Sequence, residues 1–131
     1  MFEAETEGFL VRVIPRYMPE ASNPGEQRYV WAYAVTIENH SSDAAQLVTR
    51  YWRITDEAGD VREVNGPGVV GEQPVIAPGD SYRYESACPL TTPSGVMLGT
   101  YDMVRLSDRA AFTIAIPAFA LESPFDTRLA N

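Results

Sequence analysis

The sequence predicts an all-β fold: an antiparallel β-sandwich of the immunoglobulin kind, with seven to eight strands. Three observations lead there. Extended segments alternate aromatic and β-branched residues with period two, most clearly over 28–39, where Tyr29, Trp31, Tyr33, Val35 and Ile37 share one face. Turn-forming clusters separate these segments at intervals of about 8–12 residues, the rhythm of sandwiches and barrels. No window of useful length carries a helical stripe.

Taken in order, a first strand opens at Thr6. Phe9, Val11 and Val13 form one apolar face and Leu10, Arg12 and Ile14 the other. Pro15 lacks a ladder donor, so this strand ends there or lies at a sheet edge. Residues 18–26 are rich in Pro, Ser, Asn and Gly and form a loop. The strand over 28–39 follows, then a polar turn over 40–43. Over 46–56 a third strand sets Val48, Trp52 and Ile54 on one side and Leu47, Thr49 and Tyr51 on the other. Gly59 closes the hairpin loop over 56–60, and 61–64 is a short return strand. After a glycine loop and Val75-Ile76-Ala77 comes the turn Pro78-Gly79-Asp80. A strand over 81–88 alternates Tyr82 and Tyr84 with Arg83 and Glu85; 89–94 is irregular. Strands over 96–106 and 111–118, the latter with Phe112, Ile114 and Ile116 inward, complete the set. Trp52 stands mid-strand, where immunoglobulin-like domains keep a core tryptophan. Tyr101, within Gly99-Thr100-Tyr101-Asp102-Met103, matches a tyrosine corner, with Met103 in the place of a second cysteine.

Length and composition bound the function classes. At 131 residues the chain suits one domain, long enough to bury a core without staples. The formal net charge of −8, with ten arginines and no lysine, opposes non-specific nucleic-acid binding, which needs a basic surface. One cysteine, Cys88, allows no internal disulfide and suits a reducing compartment. There is no signal-like apolar run at the start and no span-length apolar stretch. A cytoplasmic domain without membrane insertion is the expectation.

Asn65-Gly66-Pro67-Gly68-Val69-Val70-Gly71-Glu72-Gln73-Pro74 spaces three glycines as G-x-G-x-x-G. In dinucleotide-binding folds that spacing opens a helix whose N-terminus receives the pyrophosphate. Pro74 forbids such a helix here, and no βαβ unit surrounds the loop. Two readings remain: a structural corner, or an anion nest of backbone N–H groups around Gly66 and Gly68, with Arg62 and Arg53 lending charge. His40 is the lone histidine, in a polar turn, and makes no metal-ligand pattern with Glu38 and Asp43. Cys88 as a nucleophile would need a base, and His40 is the sole histidine candidate; packing is the default for a lone thiol. Asp56, Glu57 and Asp60, like Glu3, Glu5 and Glu7, match no EF-hand spacing and suit a solvated surface. No catalytic residue, metal ligand or cofactor is therefore assigned.

The blocks Tyr29-Val30-Trp31-Ala32-Tyr33, Ile37-Glu38-Asn39, the glycine loop over 66–74, Ala77-Pro78-Gly79, Cys88-Pro89-Leu90-Thr91-Thr92-Pro93-Ser94-Gly95-Val96-Met97 and Gly99-Thr100-Tyr101 closely resemble the ApaG family. They fall in the right order over nearly the whole chain, to Leu121. The resemblance implies a fibronectin type III-like sandwich: one ApaG domain over 1–125 and a loose C-terminal tail over 126–131. Bacterial members, also called CorD, are linked to cobalt and magnesium tolerance, and related domains of eukaryotic F-box proteins serve recognition. The family's glycine loop has been suggested to contact pyrophosphate or nucleotide, at positions that are Gly66, Gly68 and Gly71 here. Asn65 stands where some members carry a histidine, which removes a possible metal or phosphate contact. The expectation is a non-enzymatic protein-interaction module with an unidentified protein partner, its oligomeric state open and a homodimer allowed. The alternative is a domain binding a phosphate-containing small molecule, pyrophosphate or nucleotide, through Gly66, Gly68, Gly71 and Arg62.

Overall fold

Residues 1–125 are described by the computed structural model, and the expected tail over 126–131 lies outside them. Among the described residues nine strands run β1 (Phe2–Thr6), β2 (Phe9–Tyr17), β3 (Tyr29–Asn39), β4 (Ala45–Asp56), β5 (Val61–Pro67), β6 (Val75–Ile76), β7 (Ser81–Leu90), β8 (Ser94–Arg105) and β9 (Ala111–Glu122). One antiparallel sheet has the order β1-β2-β3-β7; the other has β5-β4-β8-β9, with β6 paired to the start of β4. The sandwich expected from the sequence is therefore formed, and the helical content among the described residues is two single 3-10 turns, Pro19–Ala21 and Pro24–Glu26. Among the described residues no helix is long and apolar enough to cross a membrane.

The sequence reading missed β1. Its alternation is masked by Glu3 and Glu5, which face water, while Phe2 turns inward against Phe119, ring centroids 6.0 Å apart. Pro15 does not end β2, which continues to Tyr17. Pairing with β1 reaches no further than Val13, so beyond it β2 is itself the sheet edge, where proline's missing donor leaves no partner unsatisfied.

Two bulges set which side chains face the core. In β4 the register with β8 shifts between Leu47 and Thr49. An extra residue reverses the alternation, so Ala45 and Leu47 face inward before the bulge and Arg50, Trp52 and Ile54 after it. Leu47 is thus fully buried rather than on the outer face, and Val48 is the bulged residue. In β9 a second shift lets Ile114 and Ile116, then Phe119 and Leu121, all face inward. Trp52 lies in the core as expected, perpendicular to Phe119 and edge-on to Tyr33 at 5.3 Å. Burial of such a ring contributes on the order of 2–3 kcal/mol. Tyr101 does not form a tyrosine corner; its buried hydroxyl bonds the Tyr84 hydroxyl of the opposite sheet.

The two sides of the sandwich differ. β9 packs against β1 and β2 and closes one side, with Phe9 and Phe112 5.6 Å apart. On the other side β5 and β7, each the last strand of its sheet, stand apart and leave an inter-sheet cleft.

Candidate functional site

The site is built on β4 and β5. Because the β4 bulge turns Arg50 inward, its cross-strand partner on β5 is Gly66, with Val64 opposite Trp52 and Arg62 opposite Ile54. Gly66 leaves room for the Arg50 guanidinium: a Cβ there would lie 2.9 Å from it, and the side chain would have to shift. That guanidinium lies across the strand and donates through Nη1 to the carbonyls of Pro67 and Gly68, both at 3.1 Å.

The glycine loop is a self-bonded corner. Gly68 has φ +59°, and a Cβ there would stand 2.0 Å from the Glu72 carbonyl oxygen. Its N–H donates to the Val48 carbonyl at 2.8 Å, the same oxygen that receives Gln73 Nε2. The β4 bulge and the loop are in this way locked together. Val69 and Glu72 exchange backbone bonds of 2.8 and 2.9 Å around Val70 (φ +43°) and Gly71 (φ +82°), the positive pair of a type I′ turn. The N–H groups of Gly68, Val69 and Glu72 are therefore engaged, and the loop's nearest charged group binds its carbonyls. No helix follows; β6 does.

The two arginines named as charge donors part company. Arg53 falls on the outer face of β4, exposed, and does not reach the loop's inner side. Arg62 projects into the gap between the sheets and donates from Nη2 to Cys88 Sγ at 3.7 Å. Arg50 was missed, although it shares the parity of Trp52 and Ile54, a signal the sequence did carry.

Two adjacent hollows occupy the gap. The larger, about 600 Å³, is lined on its apolar side by Ile54, Val61, Pro89 and Leu90, with Glu26, Asp56 and Asp60 among its charged residues. The smaller, about 190 Å³, is lined by Tyr33, Arg50, Arg62, Ser86 and Cys88 among others, and shares Ile54 and Arg62 with the first.

Burial pushes the Cys88 thiol up to about 11, with Arg62 pulling the other way. At neutral pH it is a thiol, not a nucleophile. Tyr33, Tyr84 and Tyr101 are likewise held above the ordinary phenol value by burial. His40 sits past the end of β3, its Nε2 2.7 Å from Glu38 Oε1. Cys88 pairs with Trp31 near the other end of that strand. At ~3.3 Å per residue the two are more than about 25 Å apart, so they form no dyad. Asp56 Oδ1 receives Ala58 N and Asp60 N at 2.9 and 3.0 Å and shapes its own hairpin. Among the described residues no group of three or more His, Cys, Asp or Glu is placed to hold a metal ion.

Comparison with known proteins follows the same outline. The ApaG domain profile matches residues 19–105. The chain is 54% identical to Protein ApaG of Sinorhizobium fredii and 56% identical to Protein ApaG of Brucella canis, each over 131 residues and 100% of both chains. A crystal structure of a Bordetella pertussis protein assigned as ApaA superposes with a TM-score of 0.85 at 48% identity, covering 88% of this chain and 94% of that one.

Proposed function

We propose that this chain, which belongs to the ApaG family, works as a non-enzymatic protein-interaction module in the cytoplasm. In this reading an extended segment of a partner protein lies in the groove between β5 and β7. One observation carries it: both strands end their sheets, so each offers an unpaired backbone edge, and the hollow of about 600 Å³ between them has an apolar floor of Ile54, Pro89 and Leu90. Edge addition of this kind takes affinity from backbone bonds and specificity from side-chain pockets. Val61, 48% exposed at the rim, supplies a further apolar contact. The link to cobalt and magnesium tolerance is then indirect and passes through the partner. Pyrophosphate or nucleotide binding by Gly66, Gly68 and Gly71 draws less support, since the N–H groups of Gly68, Val69 and Glu72 already have backbone acceptors.

A photo-crosslinking residue placed in turn at Val61, Thr91 and Thr113 tests this in cells. Val61 and Thr91 border the groove, whereas Thr113 lies exposed on the far strand β9. The expected result is one discrete adduct shared by the first two positions and absent from the third. Adducts equal at all three, or none at the groove, would remove the reading.

A further inference from the structure

We propose that Arg50 and Arg62 form a seat for the single oxyanion head of a phosphate monoester, whose uncharged body lies over Ile54, Pro89 and Leu90. The seat does not depend on the docking reading. The two share a cleft, yet each can be measured without the other.

The placement is the first argument. Arg50 and Arg62 occupy inward-facing positions of a sandwich, where apolar residues are the rule, because the β4 bulge and its β5 register put them there. The half-buried Arg50 guanidinium loses hydration there and gains from a counter-charge, while Arg62 stays exposed at the mouth of the gap. Of the three half-buried arginines among the described residues, Arg12 and Arg105 have carboxylate partners and Arg50 has none within 4.0 Å; Arg62 has none either, like the exposed Arg28, Arg53, Arg83 and Arg109. This holds in a chain whose acidic residues outnumber its arginines by eighteen to ten.

The unused donors are the second argument. Arg50 bonds protein through Nη1 and Arg62 through Nη2. Each guanidinium carries five N–H donors in a fork that matches phosphate oxygens, so both keep donors free. Tyr33 and Ser86, whose side chains hydrogen-bond each other, line the same small hollow and make its wall polar. Arg62 is exposed, which leaves the seat accessible from solvent.

Charge further along the cleft narrows the ligand. The small hollow shares Ile54 and Arg62 with the larger one, where the three carboxylates of Glu26, Asp56 and Asp60 outnumber the remaining cation, Arg28, beside apolar Ile54 and Leu90. A second anionic group there would meet carboxylates and the repulsive field of a chain with net charge −8. One phosphate on an uncharged body fits; pyrophosphate or a nucleoside triphosphate fits worse.

The test is calorimetry and thermal shift on the full chain at fixed ionic strength with phenyl phosphate, inorganic phosphate, benzoate and pyrophosphate. Phenyl phosphate is expected to bind one per chain and to raise the melting temperature, more strongly than the other three. Arg62→Gln should weaken it by about tenfold or more, the loss of a charge-assisted pair, and Arg53→Gln on the outer face should leave it unchanged. Arg50→Gln should weaken it likewise; if it also loosens the loop, Arg62→Gln decides, since that side chain holds no backbone group. Absence of binding at ~10 mM, where mass action would still reveal a weak site, overturns the proposal. So does full binding by Arg62→Gln, equal binding of benzoate, or tighter binding of pyrophosphate.

Discussion

The guanidinium of Arg62 on β5 meets the thiol of Cys88 on β7, Nη2 to Sγ 3.7 Å, and so spans the gap between the two sheets on their open side. This polar contact sits where the opposite side of the sandwich has aromatic rings. It explains how Cys88 can be 2% exposed at the wall of a solvent-reaching cleft.

The thiol's behaviour with pH follows. Its value is raised by burial from 9.0 to about 11, so the folded state holds the proton more tightly than the unfolded one. The linked stability is complete below about pH 9 and declines as pH rises toward 11, by on the order of 2–3 kcal/mol. Alkylation of the native chain by iodoacetamide, followed by mass spectrometry, should stay slow at pH 7.5 and climb with a midpoint near 11. Denaturant should restore the ordinary thiol profile. A native midpoint near 8.5 would contradict this account.

The glycine loop separates two kinds of glycine. Gly68→Ala would drive a Cβ to 2.0 Å from the Glu72 carbonyl at a positive φ, while at Gly71 there is open space and φ alone matters. Urea unfolding should show a loss of about 2–4 kcal/mol for Gly68→Ala and about 1 kcal/mol for Gly71→Ala. Equal losses would show that the corner yields.

Val70 holds a β-branched side chain at φ +43° while 57% exposed. Val70→Asn should stabilise the chain by about 1 kcal/mol, because asparagine suits the left-handed region and no core contact is lost. The urea midpoint reads this directly, with an unchanged slope.

Tyr84 and Tyr101 join hydroxyls across the buried centre. Tyr101→Phe leaves the Tyr84 hydroxyl without its partner and should cost about 1–3 kcal/mol. The double change to phenylalanine should cost less than the sum of the two single changes, a coupling visible in a double-mutant cycle.

How much of this was legible beforehand depends on the range of the physics involved. Alternation is local, so Phe9, Val11 and Val13, the aromatic face of β3 and the core position of Trp52 could all be read from the order of residues. Pro74 alone sufficed to deny a helix after the glycines. Blocks from Tyr29 to Tyr101 likewise carried the family, because those residues recur together in order.

Tertiary structure decided what local order leaves open. A bulge is one residue more on one strand than on its neighbour, a property of a pair that neither strand displays alone. The bulge at Val48 buried Leu47, turned Arg50 toward the core and supplied the carbonyl that Gly68 and Gln73 share. The pairing of β1 with β2 likewise made a strand of an acidic segment. Composition and alternation determined that this chain is a two-layer sandwich. Register and strand order, which exist only once the layers pair and stack, decided that its open side lies between β5 and β7 and that Arg50 and Arg62 face into it.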